Sequence, residues 1–191
     1  MRKQLVLAVA ATAAMLVLVG PGLAAGAETP PSTGTTATIY IQGSEGGKGG
    51  PLRFVAPQTV TQGDELKIVN ETDPKKVGPH TFSLVTKGSL PKTPSARKNC
   101  FTPKHICLSI SQWHGFNPKT EKIAINPAKA GPEGWSTLGS TTKKGDSWFT
   151  EKKGDSLTQQ VTADPATTST LYFVCAIHPW MQGSVKVLPA G

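Results

Sequence analysis

Residues that do chemistry are scarce in this chain: among 191 residues there are four histidines and three cysteines. So few histidines exclude a protein built on several histidine-rich metal sites. The lysines and arginines form no stripe and are not interleaved with aromatics, which argues against a nucleic-acid groove. No segment of helical length repeats its apolar residues every 3.6 positions, so a helical bundle is not expected. The glycine-rich stretch GSEGGKGG (43 to 50) lacks the spacing of a phosphate loop, and Lys48 is followed by Gly49 where a Ser or Thr would hold magnesium. Long apolar runs are missing too. The single candidate, Leu5 to Val19, falls short of the roughly 20 residues that cross a bilayer and then meets Pro21.

That run has another reading. Two basic residues precede it, small residues ending in Ala25-Gly26-Ala27 follow it, and the whole fits a secretory signal peptide over residues 1 to 27. No cysteine lies near the cut to take a lipid. Loss of Arg2 and Lys3 lowers the basic count from 20 to 18 against 12 acids, leaving a net charge of about +6 on the exported chain. A charge of that sign suits an acidic protein partner or an anionic envelope surface. The expected location is outside the cytoplasm, periplasmic or extracellular or at the outer face of the cell envelope, with no integral membrane segment in the mature chain.

Residues 28 to 35 read as a polar tether, and residues 36 to 191 as one domain. The segments ATIYIQG, LRFVAP, ELKIVN, HTFSLV, EKIAIN, SLTQQVTA, STLYFVC and GSVKVL are short, partly alternating and rich in β-branched residues. They predict an all-β fold, an antiparallel β-sandwich. A nine-residue repeat, KKGDSWFTE (143 to 151) and KKGDSLTQQ (152 to 160), is too short for a solenoid and predicts two similar turns.

The stretch Tyr172 to Gly183, YFVCAIHPWMQG, holds the chemistry. Alternation places Leu171, Phe173 and Cys175 on one strand face, so Cys175 ends a core strand. Pro179 then forces the chain out of the sheet, and a tight loop can return His178 and Met181 towards the Cys175 sulfur. Thiolate, imidazole and thioether together suit copper, in a trigonal plane of one Cys and two His with a long axial Met. The second histidine is predicted to be His80, which opens the strand HTFSLV behind Gly78-Pro79.

On these residues the chain resembles the cupredoxins, single-domain blue-copper electron carriers such as plastocyanin, azurin and amicyanin. The match covers roughly residues 36 to 90 and 145 to 191. The resemblance implies a Greek-key sandwich with one type 1 copper ion held by His80, Cys175, His178 and Met181. It also implies a one-electron carrier that serves redox partner proteins and turns over no substrate. Copper delivery or buffering is the alternative; a copper enzyme is disfavoured, since two of the four histidines are already assigned. Two features depart from the family. Thr81 follows the first histidine where members usually carry an Asn that ties the ligand loops together, and residues 91 to 145 form a long insertion.

Within that insertion Cys100 and Cys107 are expected to pair as a disulfide, since the chain is exported and the third cysteine is taken by metal. Such a loop is stabilised by about 2.5 kcal/mol in the chain-entropy model. His105 and His114 have no ligand spacing and are expected at the surface. Trp113, Phe116, Trp135 and Trp148 are candidates to pack the insertion on the sandwich. Asn70-Glu71-Thr72 fits a glycosylation acceptor pattern, one that is frequent by chance.

Overall fold

Period-two alternation builds the strands. In chain order they are β1 (Thr36–Gln42), β2 (Arg53–Val55), β3 (Thr59–Thr61), β4 (Glu65–Asn70), β5 (His80–Val85), β6 (Lys129–Ala130), β7 (Ser147–Thr150), β8 (Ser156–Gln160), β9 (Thr170–Val174) and β10 (Gln182–Leu188). The computed structural model describes residues 34–44, 50–120 and 129–191. The leader at 1 to 27, the tether up to residue 33 and the expected strand EKIAIN lie outside the described residues. No helix among the described residues is long and apolar enough to cross a membrane.

Two sheets face each other, with strand orders β2-β1-β4-β8 and β3-β10-β9-β5-β7-β6. Alternation turns Ile39 and Ile41 of β1 and Leu66 and Ile68 of β4 inward from one sheet. Phe82 and Leu84 of β5, Leu171 and Phe173 of β9, and Val185 and Val187 of β10 meet them from the other, forming one buried cluster. The ring of Phe82 lies 4.9 Å from Phe173, and Phe54 meets both edge-on at 5.7 and 5.2 Å. Each such side chain taken from water contributes about 1.5–3 kcal/mol. The sandwich is therefore as expected, with non-consecutive strands as neighbours in the Greek-key manner.

The sheets are mixed, however, and not purely antiparallel: β1 pairs parallel with β4, and β3 parallel with β10. Between β1 and β4 the chain crosses to the other sheet for β3 and returns through a turn. There Asp64 accepts the Thr61 amide at 2.9 Å. Two strands separated by such a double crossing meet in the same direction.

A second apolar cluster covers the outer face of the six-stranded sheet, and the insertion supplies most of it. Helices α1 (Pro74–Val77), α2 (Pro94–Lys98) and α3 (Ile106–Trp113) are short. Helix α3 lays Ile106, Cys107, Ile110 and Trp113 on Val85, Val174 and Ala176. This corrects the expectation of no helical period. The apolar residues do follow helical spacing, but over only eight residues, and the helix is held by packing more than by length. Cys100 and Cys107 form the expected disulfide, with both residues buried. Gly139 and Gly145 approach so closely beneath the Trp113 ring that a Cβ on either would strike backbone, which is why both positions are glycine.

The insertion also enters the main core. Trp135 is fully buried there, donates its indole N–H to the Leu66 carbonyl at 3.1 Å and bridges to Val161. The nine-residue repeat does not make two similar turns. Gly154 in the second copy turns at φ 85°, whereas Gly145 in the first is buried in close contact with Gly139 and the Leu84 carbonyl. The strands that follow, β7 and β8, belong to different sheets. Burial explains the divergence: Asp146 is buried and accepts the Ser136 and Thr137 amides at 2.8 and 2.7 Å, while its counterpart Asp155 is half-exposed.

Candidate metal centre

His80 is delivered by a helix end. Asp73 caps α1 by accepting the Lys75 amide, and Gly78 closes the helix at φ 77°, so that Pro79 leads straight into β5. Cys175 directly follows β9, and the loop after it is closed by its own backbone. Cys175 N–H donates to the Met181 carbonyl at 3.0 Å, and Met181 N–H to the His178 carbonyl at 2.8 Å. Gln182 fastens this loop by donating its side-chain amide to the Pro179 and Pro91 carbonyls.

These elements bring three of the expected residues together. Cys175 Sγ lies 3.8 Å from His80 Nδ1 and 3.7 Å from His178 Nδ1, and the two nitrogens are 3.2 Å apart. Bonds of about 2.0–2.3 Å from nitrogen and sulfur to one ion subtend such edges at roughly 100–120°, so the donors fit around one ion near their own plane. His80 and Cys175 are fully buried and His178 is 4% exposed, which keeps bulk water from the donors. Met181 is buried on the same loop.

The protonation states suit a metal. Burial first, and then the neighbouring His178, lower the pKa of His80 from 6.5 to about 4, so its ring is neutral at pH 7. Its tautomer follows from the hydrogen bonds. The Thr72 hydroxyl donates to Asn70 Oδ1 at 2.7 Å, so at 2.9 Å it must accept the proton of His80 Nε2. Nδ1 then carries its lone pair towards the cluster. Burial pushes the Cys175 thiol up, against the pull of the Thr81, His178 and Ile177 amides and the Thr81 hydroxyl.

Thr81 ties the two sides of the cluster together. Its amide donates to Cys175 Sγ at 3.4 Å and its hydroxyl accepts the Ala176 amide at 2.8 Å, joining β5 to the ligand loop. The Asn70-Glu71-Thr72 triplet is part of this support. Asn70 is fully buried and its amide nitrogen donates to the Lys152 carbonyl, which leaves no acceptor for a glycan. Sequence reading named His80, Cys175 and His178, which the fold brings together, but missed this polar shell. The signal lay in the alternation of β5, where the small hydroxyls Thr81 and Ser83 occupy the face opposite Phe82 and Leu84. His105 is exposed as expected; His114 is not at the surface but 3% exposed, with Nε2 2.8 Å from the Ser147 hydroxyl, because the insertion folds over it.

No protein-family model and no curated protein matches the chain. Solved structures do. A purple cupredoxin from Nitrosopumilus maritimus has a TM-score of 0.38 and 13% identity over 80% of this chain and 99% of that one. Auracyanin B has a TM-score of 0.41 and 12% identity over 81% and 89%. Dithionite-reduced auracyanin from the photosynthetic bacterium Roseiflexus castenholzii has a TM-score of 0.38 and 18% identity over 81% and 98%. The structural neighbours of the chain are thus cupredoxins, and the cluster of His80, Cys175 and His178, with Met181 on the same loop, stands on the geometry of this chain itself.

Proposed function

We propose that the protein is an exported one-electron carrier holding a single type 1 copper ion through His80, Cys175, His178 and Met181. The observation that carries this reading is the buried convergence of one thiol and two imidazole Nδ1 atoms within 3.2–3.8 Å of one another. Soft sulfur with imidazole is a donor set for copper, which when bound supplies a one-electron couple between Cu(II) and Cu(I). The chain supplies the rest. Neutral His80 needs no deprotonation at pH 7, the Thr72 bond fixes its ring, and the Thr81 tie holds the two ligand-bearing elements in one geometry. A cage fixed in this way has little to rearrange when the charge on the ion changes.

Electrons leave by the His178 edge in this reading. Trp180 stands against that ring at 5.2 Å between centroids and is 45% exposed, so it does not fold inward onto the insertion. An acidic redox partner meets this face, drawn by the surplus of lysines. Buried donors also oppose ready loss of the ion, which favours the carrier over delivery or buffering.

Addition of Cu(II) to the purified protein, read by visible absorption and voltammetry, decides between these roles. The carrier gives a strong thiolate-to-copper band and reversible cycling. A colourless complex that yields its copper quickly to a chelator overturns the carrier and supports delivery.

A further inference from the structure

Behind the ligand strand runs a line of buried hydroxyls that ends on a histidine of the insertion. Ser83 Oγ donates to Thr81 Oγ1 at 3.0 Å, Ser83 and Ser147 Oγ are 2.7 Å apart, and Ser147 Oγ is 2.8 Å from His114 Nε2. Thr81, Ser83, Ser147 and His114 are all 3% exposed or less. Each hydroxyl has one proton to give. Since Ser83 gives its proton to Thr81, Ser147 must give its own to Ser83, and His114 Nε2–H must donate to Ser147. Thr81 Oγ1 accepts from Ser83 and from the Ala176 amide, and the backbone amide of the same residue donates to Cys175 Sγ at 3.4 Å. The chain therefore runs one way, from His114 through Ser147 and Ser83 to the hydroxyl of Thr81, the residue whose amide meets the sulfur.

Hydrogen bonds that point head to tail polarise one another. The surroundings offer little competition: the cavity of about 290 Å³ beside Thr81 and His114 is walled by Pro79, Phe101, Phe116, Phe149 and Ile177, with almost no polar surface. We infer that His114, contributed by the insertion, is a positioning residue for the metal centre: through Ser147 and Ser83 it fixes the Thr81 side chain, holds the Thr81 amide on Cys175 Sγ and so raises the reduction potential. A sulfur that gives up density to donors supports Cu(II) less well, so a broken chain favours the oxidised state. This gives the insertion a part in the chemistry besides covering the sheet. The inference rests on the copper reading above.

The test uses the copper-loaded full chain and reads the thiolate-to-copper band and the potential. His114→Phe removes the first donor, and His114→Gln keeps an amide donor at a similar reach. The expected result is a lowered potential and a shifted band in His114→Phe, with recovery towards wild type in His114→Gln. In a Thr81→Val background, which lacks the receiving hydroxyl, His114→Phe is expected to change nothing further. A merely structural role predicts the same shift in both backgrounds, and that result, or no shift at all, overturns the inference. Should His114→Phe not fold, Ser147→Ala breaks the same chain and is judged by the same two outcomes. A wild-type protein that shows no thiolate band with copper overturns both this inference and the copper reading, whereas a normal band with unresponsive variants overturns this inference alone.

Discussion

Cys175 and Met181, both buried on one loop, are proposed as unequal ligands of the copper ion. A thiolate bond is strong and gives a blue-copper site its colour, whereas an axial thioether is long and weak. Cys175→Ala is therefore expected to abolish the band, and Met181→Leu to keep copper and colour while raising the potential, by visible spectra and voltammetry. An unchanged potential in Met181→Leu assigns Met181 to the core alone. Two other residues contribute to the pH response of the metal-free protein, with opposite signs. The folded pKa of His80 is depressed from 6.5 to about 4, so its contribution to stability is present above 6.5 and is lost as pH falls towards 4. Burial raises Asp146 from 3.8 to about 6, against the pull of its amide donors, so its contribution is present below 3.8 and is lost as pH rises through 6. At 1.36 kcal/mol per unit each effect amounts to about 3 kcal/mol at most, and between pH 4 and 6 they nearly cancel. Denaturant melts of metal-free wild type are expected to change little across that window. Asp146→Asn removes one partner, and its stability is expected to fall by roughly 2–3 kcal/mol on acidification from pH 6.5 to 4. An equally flat profile in Asp146→Asn contradicts the assignment.

Helix α3 and its disulfide show what a short element can hide. Ile106, Ile110 and Trp113 have helical spacing, yet eight residues give too little signal to read without the sheet they cover. Strands β3, β6 and β7 were missed because they run for two to four residues and are buried by neighbours, not by a long alternating pattern of their own. The two strands beside the donor cluster were legible for the opposite reason: β5 and β9 have large inward residues at every second position, β5 begins just after Pro79, and β9 ends at the loop that holds Pro179. The Cys100–Cys107 bond closes the segment leading into α3, and the cluster around it reaches Val174 and Ala176 on either side of Cys175. Alkylation of the denatured, unreduced metal-free protein followed by weighing is expected to give one label, on Cys175. Three labels contradict the disulfide. Cys100→Ala with Cys107→Ala is expected to cost about 2.5 kcal/mol in chemical denaturation and to leave the copper band in place, since neither cysteine touches the donors.

At the scale of the molecule, the sandwich puts the ligand loop at one end of the sheets with Trp180 as its exposed aromatic, and the insertion covers one flank. The loop residues Cys175, His178 and Met181 were readable in the sequence because they stand three positions apart, and His80 because it opens a strand behind Gly78-Pro79. The shell behind them was not, since Asn70 with Thr72, His114 and Ser147 come from three separate segments that only the fold assembles. Trp180→Ala is expected to leave spectrum and potential intact and to slow electron exchange with an acidic protein acceptor, most clearly at low salt where charge steering is strongest. An unchanged rate moves the partner surface elsewhere, to the insertion flank. The central claim is that these buried donors form a preset copper cage that serves electron transfer. Copper K-edge absorption of the loaded protein in its oxidised and reduced forms tests this most directly. The account predicts two nitrogens and one short sulfur bound in both forms, with the same donors and little change in distance. A shell without sulfur, or one that exchanges donors on reduction, contradicts it.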